Sequence, residues 1–261
     1  MFTNNFDPVA FEIFSLSIRW YSLAYIFGII FGWLYCKKIL IKDDIIQKLF
    51  EDYISYLIIG IIIGGRLGYV IFYNFPYFFN NPIEIFMIWN GGMSFHGGLI
   101  GVIISSYLFS KKNKKNIFIF LDLVSVTAPI GILFGRISNF INGELIGKVT
   151  GSNWGVFFPG FDDKLRHPSQ LYEAFLEGVI LFIFMNFFFF RKKNKVGTCS
   201  IMFLILYGSF RIVSEFFREP DMQIGYLFGH VSMGIILSAF MILIGILIYL
   251  KRNDENKSQK I

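Results

Sequence analysis

Three arginines, at positions 66, 136 and 211, interrupt runs of apolar residues long enough to cross a bilayer. A central arginine in such a run costs roughly 2.5–3.5 kcal/mol on insertion scales, so each one asks for a reason. A guanidinium stays protonated and its planar fork matches phosphate oxygens, which makes an anionic phosphate the natural ligand for three of them. Tyr207, Arg211 and Glu215 follow one another at i, i+4 and i+8, on one helix face. That spacing alone suits a buried Arg–Glu pair as well as it suits a ligand site. Arg136 opens a second dense stretch, Gly135-Arg136-Ile137-Ser138-Asn139-Phe140-Ile141-Asn142-Gly143-Glu144, with Gly147 just beyond. If the chain is helical through 140, Arg136, Asn139 and Phe140 share a face. A capped helix end at Asn142 and Gly143 accounts for the glycine, but for neither the arginine nor the density of amides.

A titratable group comes from Ser94-Phe95-His96-Gly97-Gly98-Leu99. A lone interfacial histidine is more often structural than catalytic, yet an imidazole titrates near pH 6.5, where it can take up a proton. His96 also stands before Gly97 and Gly98 at a helix start, where bare backbone N–H groups can receive an anion. His167, before Pro168, reads as a structural element at the next helix N-terminus, and His230 has no nameable partner. With three scattered histidines, and Cys36 and Cys199 at the opposite helix ends, no metal, cofactor or structural disulfide is expected.

These groups need a bilayer to hold them. The 261 residues are 55% hydrophobic, 20% aromatic and only 16% charged. With the 25 glycines the apolar share is roughly 65%, against about 45–50% in an ordinary soluble domain. A soluble globular enzyme, a disordered tail and a disulfide scaffold are all excluded. A membrane helix needs roughly 20 mostly apolar residues, and seven stretches qualify: 16–36, 53–73, 93–110, 117–137, 171–190, 196–217 and 226–250. The expected architecture is an all-α integral membrane protein of seven transmembrane helices, a single membrane domain over 1–261. It has a small outer loop region at 138–171 and a tail at 251–261. Residues 74–92, rich in Phe and Tyr and ending near Trp89, read as a segment in the outer interface. Pairs of glycines four apart, such as Gly60/Gly64/Gly68 and Gly97/Gly101, read chiefly as helix packing.

Orientation follows the basic residues. The loops after the first, third and fifth stretches and the tail hold 16 of the 24 lysines and arginines, among them Lys37, Lys38, Lys111, Lys112, Arg191 and Lys251. This side is cytoplasmic, and the N-terminus is outside. Lysines placed as topology determinants beside lipid headgroups also dispose of nucleic acid as a partner. No basic residue precedes Arg19, so a secretory signal peptide is not expected. Arg66 lies about 13 residues into an outward-running helix, roughly 20 Å deep at 1.5 Å per residue, which is the outer half of the membrane. Arg211 reaches a similar depth, Arg136 lies at an outer end, and Tyr21, His96, Glu173 and Glu177 open their spans from outside. Polar groups therefore converge on the outer leaflet. A transporter needs them near the midplane with access from both sides, whereas a protein acting on outer-leaflet headgroups needs one cavity at one depth.

The chain resembles the phosphatidylglycerol–prolipoprotein diacylglyceryl transferases over nearly its whole length. The resemblance rests on Arg19-Trp20-Tyr21, Gly64-Gly65-Arg66-Leu67-Gly68-Tyr69, Gly91 to Gly98, the Gly135 to Gly147 run, Arg166-His167-Pro168-Ser169-Gln170-Leu171-Tyr172-Glu173, and Tyr207 through Arg218. It implies a seven-helix enzyme of the bacterial plasma membrane, working at the extracytoplasmic leaflet. Such an enzyme moves the diacylglyceryl group of phosphatidylglycerol to the lipobox cysteine of a prolipoprotein signal peptide and releases glycerol 1-phosphate. The residues matching the family are Tyr21, His96, Arg136, Asn139, Glu144, Gly147, Glu173, Tyr207, Arg211 and Glu215. The outer loop between Gly147 and Arg166 is shorter than in some members.

The residues suit that chemistry. A thiol of pKa about 8.5 needs a base or an electropositive setting to attack at neutral pH. His96 is the expected base, Arg136 and Arg211 bind and stabilise the departing phosphate, and Tyr21 acts beside them. Asn139, Gly147, Arg66, Gly97, Gly98 and Tyr207 are expected in substrate binding, with Glu144, Glu173 and Glu215 among them. Glu144 and Glu215 would position the arginines. The second reading is a non-catalytic binder of anionic lipid, or a transporter.

Overall fold

The computed structural model describes residues 2–14, 16–191, 195–220, 225–227, 229 and 231–258. His230, Lys192, Lys193 and Lys260 lie outside the described residues. In chain order the helices are α1 (Trp20–Tyr35), prolonged by a π-helical turn over Cys36–Leu40, α2 (Asp44–Phe72), α3 (Phe75–Asn80) and α4 (Phe95–Lys112). There follow α5 (Ile117–Asn142), α6 (Ser169–Glu173), a π-helical stretch over Ala174–Ile180, α7 (Leu181–Phe190), α8 (Thr198–Glu215) and α9 (Met233–Ser258). Short strands join them: β1 (Phe2–Thr3), β2 (Val9–Ile13), β3 (Leu16–Arg19), β4 (Val156–Phe157), β5 (Leu165–Arg166), β6 (Tyr226–Leu227) and β7 (Val231–Ser232).

The chain is mostly helical, and six helical segments among the described residues are long and apolar enough to cross a membrane. They are Trp20–Leu40, Asp44–Phe72, Ile117–Asn142, Ser169–Phe190, Thr198–Glu215 and Met233–Arg252. The third expected span is the 18-residue α4, which is not among the six. Its glycines, three serines and two terminal lysines dilute the aliphatic run. α2 begins well before the expected 53 because the Asp43 carboxylate accepts from the N–H groups of Ile45 at 2.8 Å and Ile46 at 3.0 Å. That cap satisfies first-turn donors and starts the helix in its charged segment. α9 starts later than the expected 226, behind the β6–β7 hairpin.

Two compact units result: Cys36–Leu121, and Met1–Tyr35 together with Asp122–Ile261. In the first, α2 and α4 pack through bare backbone. A Cβ on Gly64 would lie 2.4 Å from the Gly97 carbonyl oxygen, and one on Gly97 would lie 2.2 Å from that of Gly64. Only small residues permit such an approach, which is how membrane helices associate without a hydrophobic drive. Farther along, Tyr53, Phe109 and Phe120 bury their rings together, and Tyr53 shares a 2.6 Å hydrogen bond with Ser106.

In the second unit, α1 meets α5 at Gly28 and Gly131, and the Gly178 backbone approaches Leu133. Asp122 corrects a local expectation. Near the start of α5 it had been read as a charge favoured by a helix dipole. Its carboxylate instead caps a different helix, accepting from the N–H of Ser200 at 2.8 Å, its hydroxyl at 2.6 Å, and the Gly197 N–H before α8. The region 138–171 is more ordered than a loop. β1 pairs in parallel with β4, which pairs antiparallel with β5, over a core of Phe140, Ile146, Val156 and Phe158. Isolated bridges Gly147–Arg218 and Val149–Arg166 extend the same small sheet.

Candidate active site

α5 carries Arg136 near its outer end, and the chain then turns through Gly143 at φ +65° and Leu145 at φ +54°. This turn returns Glu144 beside the helix it has just left. The Glu144 carboxylate accepts from the Asn139 amide at 3.2 Å and the Asn142 amide at 3.3 Å. Gln170 donates to the Glu144 carbonyl, and Ser169 donates to that of Leu145 at 3.0 Å, tying the turn to α6. Gly147 has no room for a side chain: a Cβ there would lie 2.1 Å from the His167 carbonyl oxygen.

α6 and the π-helical turn after it bring Glu173 and Glu177, both fully buried, against Arg136. Widened turns of this kind recur at functional sites, because they re-aim side chains within a helix. Arg136 reaches Glu173 at 2.9 Å through Nη1 and Glu177 at 2.9 Å through Nη2. Arg211 on α8 contacts the other Glu173 oxygen at 3.1 Å and bridges to Glu215 one turn along. Arg218, just past α8, lies 3.4 Å from the same Glu173 oxygen. Glu173 is thus the hub of three guanidinium groups drawn from two segments. Tyr207 stacks on Phe203 with centroids 5.5 Å apart and is buried.

Three arginines and three glutamates balance in formal charge. Two buried carboxylates without cations would be prohibitive, and so would three buried guanidinium groups without anions. The pairing fixes each fork without covering it. Arg136 and Arg211 keep 15% and 11% side-chain exposure, while Glu173 and Glu177 keep none. The cations therefore form the accessible surface of the network, and the anions lie behind them.

A layer outside the spans braces this network. Arg166 hydrogen-bonds the Gly147 carbonyl at 2.8 Å, and it contacts Asp162 at 2.6 Å and Glu219 at 3.1 Å. Its guanidinium holds the Asp162 carboxyl below the usual carboxylate range. His167 packs edge-on against Trp154, Tyr172 and Phe217, and burial there lowers its imidazole below its ordinary value. Lys148 reaches the Phe216 carbonyl at 3.1 Å, where a cation meets the open end of α8.

The expected site residues fall in both units. Arg136, Asn139, Glu144, Gly147, Glu173, Tyr207, Arg211 and Glu215 belong to the unit just described. So does Tyr21, whose hydroxyl lies 3.1 Å from that of Tyr25. Arg66, His96, Gly97 and Gly98 belong to the other unit. There Arg66 is buried and its fork faces main chain. It donates to the carbonyls of Ile85 at 2.9 Å and Gly92 at 3.2 Å, and to those of Glu84 and Gly91. Gly97 is the α2–α4 contact itself. Glu177 and Arg218 were not among the expected site residues. Glu177 stands four residues after Glu173 in an apolar run, which is a signal; Arg218 closes the Tyr207–Arg218 stretch on which the resemblance rests.

A family model described as prolipoprotein diacylglyceryl transferase matches residues 8–251. The chain belongs to that family. It is 51% identical to a phosphatidylglycerol–prolipoprotein diacylglyceryl transferase of Rickettsia bellii (strain OSU 85-389) over 252 residues, covering 95% of each chain. A protein of the same name from Rickettsia typhi is 50% identical over 259 residues, covering 98% of this chain and all of the relative. As a transferase of this family, the chain is a multi-pass membrane protein whose polar machinery is held between apolar helices. Among the described residues, no group of three His, Cys, Asp or Glu side chains is placed to hold a metal.

Proposed function

We propose that this protein transfers the diacylglyceryl group of phosphatidylglycerol to the lipobox cysteine thiol of a prolipoprotein, forming a thioether and releasing glycerol 1-phosphate. The observation that carries the reading is the convergence of Arg136, Arg211 and Arg218 on Glu173, with the Arg136 and Arg211 forks keeping the most exposure. Such forks, fixed beforehand by carboxylates, suit a phosphodiester whose charge grows as its ester bond breaks. The precursor's sulfur forms the new S–C bond at the glycerol carbon, the C–O bond to phosphate breaks, and the electron pair leaves on phosphate oxygen. His96 takes the thiol proton. Both of this chain's own cysteines are buried, so the sulfur comes from the partner.

In this reading Arg136 and Arg211 bind the phosphate, Tyr21 and Asn139 orient lipid oxygens, and Glu173, Glu177 and Glu215 hold the forks. Arg66 positions the 84–92 segment that leads into Ser94 and His96. The membrane arrangement has seven spans with α4 as the third, the N-terminus outside, the C-terminus cytoplasmic and the site in the extracytoplasmic leaflet of the bacterial inner membrane. The 16 basic residues gathered on one side support that orientation.

The test is turnover. Purified protein in vesicles containing phosphatidylglycerol and a lipobox peptide should yield thioether product and an equal amount of glycerol 1-phosphate. Lipid binding with no product would favour a non-catalytic lipid binder instead.

A further inference from the structure

The buried network sets three guanidinium groups, Arg136, Arg211 and Arg218, against the carboxylates of Glu173, Glu177 and Glu215, so any bound anion unbalances it. A phosphodiester on the forks of Arg136 and Arg211 adds one negative charge that none of these six groups offsets. Surplus charge in a dry setting is unfavourable, and a carboxylate removes it by taking up a proton. The three carboxylates are not equally placed to do so. Glu173 is held by three guanidinium groups, at 2.9, 3.1 and 3.4 Å. Glu215 is bridged to Arg211 within its own helix. Glu177 is fully buried, and both bonds it receives from Arg136, from Nε at 3.3 Å and Nη2 at 2.9 Å, fall on Oε2. Its other oxygen, Oε1, is buried and accepts no hydrogen bond among the described residues, and Arg211 Nη1 stands off at 3.9 Å.

The charged and titratable groups facing Glu177 are Arg136 from α5, Glu173 from α6, and Arg211 and Tyr207 from α8. A proton on Oε1 leaves both Arg136 bonds on Oε2 in place and removes the repulsion between Glu177 and the Glu173 carboxylate beside it. The same proton on Glu173 would weaken three ion pairs at once. We propose that Glu177 takes up a proton on Oε1 as the lipid phosphate binds, so that the network accepts an anion without gaining net charge. The inference rests on phosphate recognition by the arginines, as in the transferase reading, and deepens it. The proton comes from water, one O–H bond forms, and the proton returns to water when the phosphate product leaves. Glu177 touches no lipid atom in this scheme. It is a positioning residue that acts through Arg136.

Calorimetry counts the proton. Short-chain phosphatidylglycerol is titrated into the whole protein in uncharged detergent at pH 7, without peptide, in two buffers of different ionisation enthalpy. A phosphodiester does not titrate near neutral pH, so the difference in heat reports protons taken up by the protein. The wild type should take up about half a proton or more per lipid bound, and its Kd should rise about fivefold or more from pH 6 to pH 8. Glu177→Gln, neutral at every pH, should bind lipid with less than about 0.2 proton taken up and a nearly flat Kd. A purely structural role for Glu177 would leave that proton count unchanged. Binding without proton uptake by the wild type overturns the inference, and so does uptake that persists in Glu177→Gln. Should Glu177→Gln fail to fold, His96→Gln decides: uptake kept there supports Glu177, and uptake lost there assigns the proton to the imidazole and overturns the inference. Thioether product in the turnover assay without proton uptake leaves the transferase reading standing. Failure of the wild type to bind the lipid at all overturns the phosphate site, and this inference with it.

Discussion

Arg136 and Glu173 meet at 2.9 Å although 37 residues separate them in the chain, and the carboxylate is fully buried behind the guanidinium. The other Glu173 oxygen serves Arg211 and Arg218, so one side chain keeps three like charges in place. Removing one partner of a buried ion pair leaves the other without compensation and costs roughly 3–5 kcal/mol. Glu173→Ala is expected to lower the midpoint of thermal unfolding in detergent and to abolish turnover. Unchanged unfolding would show that the arginines do not depend on this hub.

Arg136→Lys and Arg211→Lys separate charge from geometry. An ammonium keeps the positive charge but lacks a fork able to reach two oxygens on each side. Each variant should insert and fold yet lose about 100-fold in kcat/KM, on the scale of one lost transition-state donor. Wild-type rates in Arg136→Lys would exclude phosphate recognition by that guanidinium.

Arg66 should behave differently. Its donors go to main-chain carbonyls between Glu84 and Gly92, so Arg66→Met exposes those carbonyls to a dry setting without touching the Glu173 hub. Unpaired buried carbonyls cost roughly 1–3 kcal/mol each. Limited proteolysis should cut the 74–92 segment faster in the variant, while KM for lipid in the surviving folded fraction stays near wild type. A selective rise in that KM would return Arg66 to the lipid site.

His96→Gln tests the base. The variant should lose the acidic limb of the pH–rate profile as well as turnover, because glutamine does not titrate. A wild-type profile in His96→Gln would pass the proton to another acceptor.

Acid should loosen the outer sheet region. Asp162 and His167 both bind a proton less readily in the folded chain than when unfolded. Their stabilisation is therefore complete above the unfolded values and declines as pH falls, from about 6.5 for His167 and about 3.9 for Asp162. Trp154 packs on His167 with centroids 5.1 Å apart, so its fluorescence should shift as pH is lowered from 7 to 5. A flat signal over that range would detach His167 from the stability of this layer.

Helices and family were legible in the residues because a bilayer imposes local rules. A run of about 20 apolar side chains satisfies its backbone only as a helix, and glycines four apart mark close packing, as between Gly64 and Gly97. The Gly135–Gly147 and Tyr207–Arg218 stretches were among the six that carried the resemblance. What spacing could not decide was the partner of each charge. Arg66 and Arg136 look alike in sequence, each a lone cation in an apolar helix, yet one braces a loop and the other joins two carboxylates. Glu177 and Arg218 gained their places from the π-helical turn and the Gly147–Arg218 bridge, neither of which is written in local spacing. Coulomb and hydrogen-bond energies depend on distance in space. For residues as far apart in the chain as 136, 173 and 218, only the folded packing of the helices sets that distance.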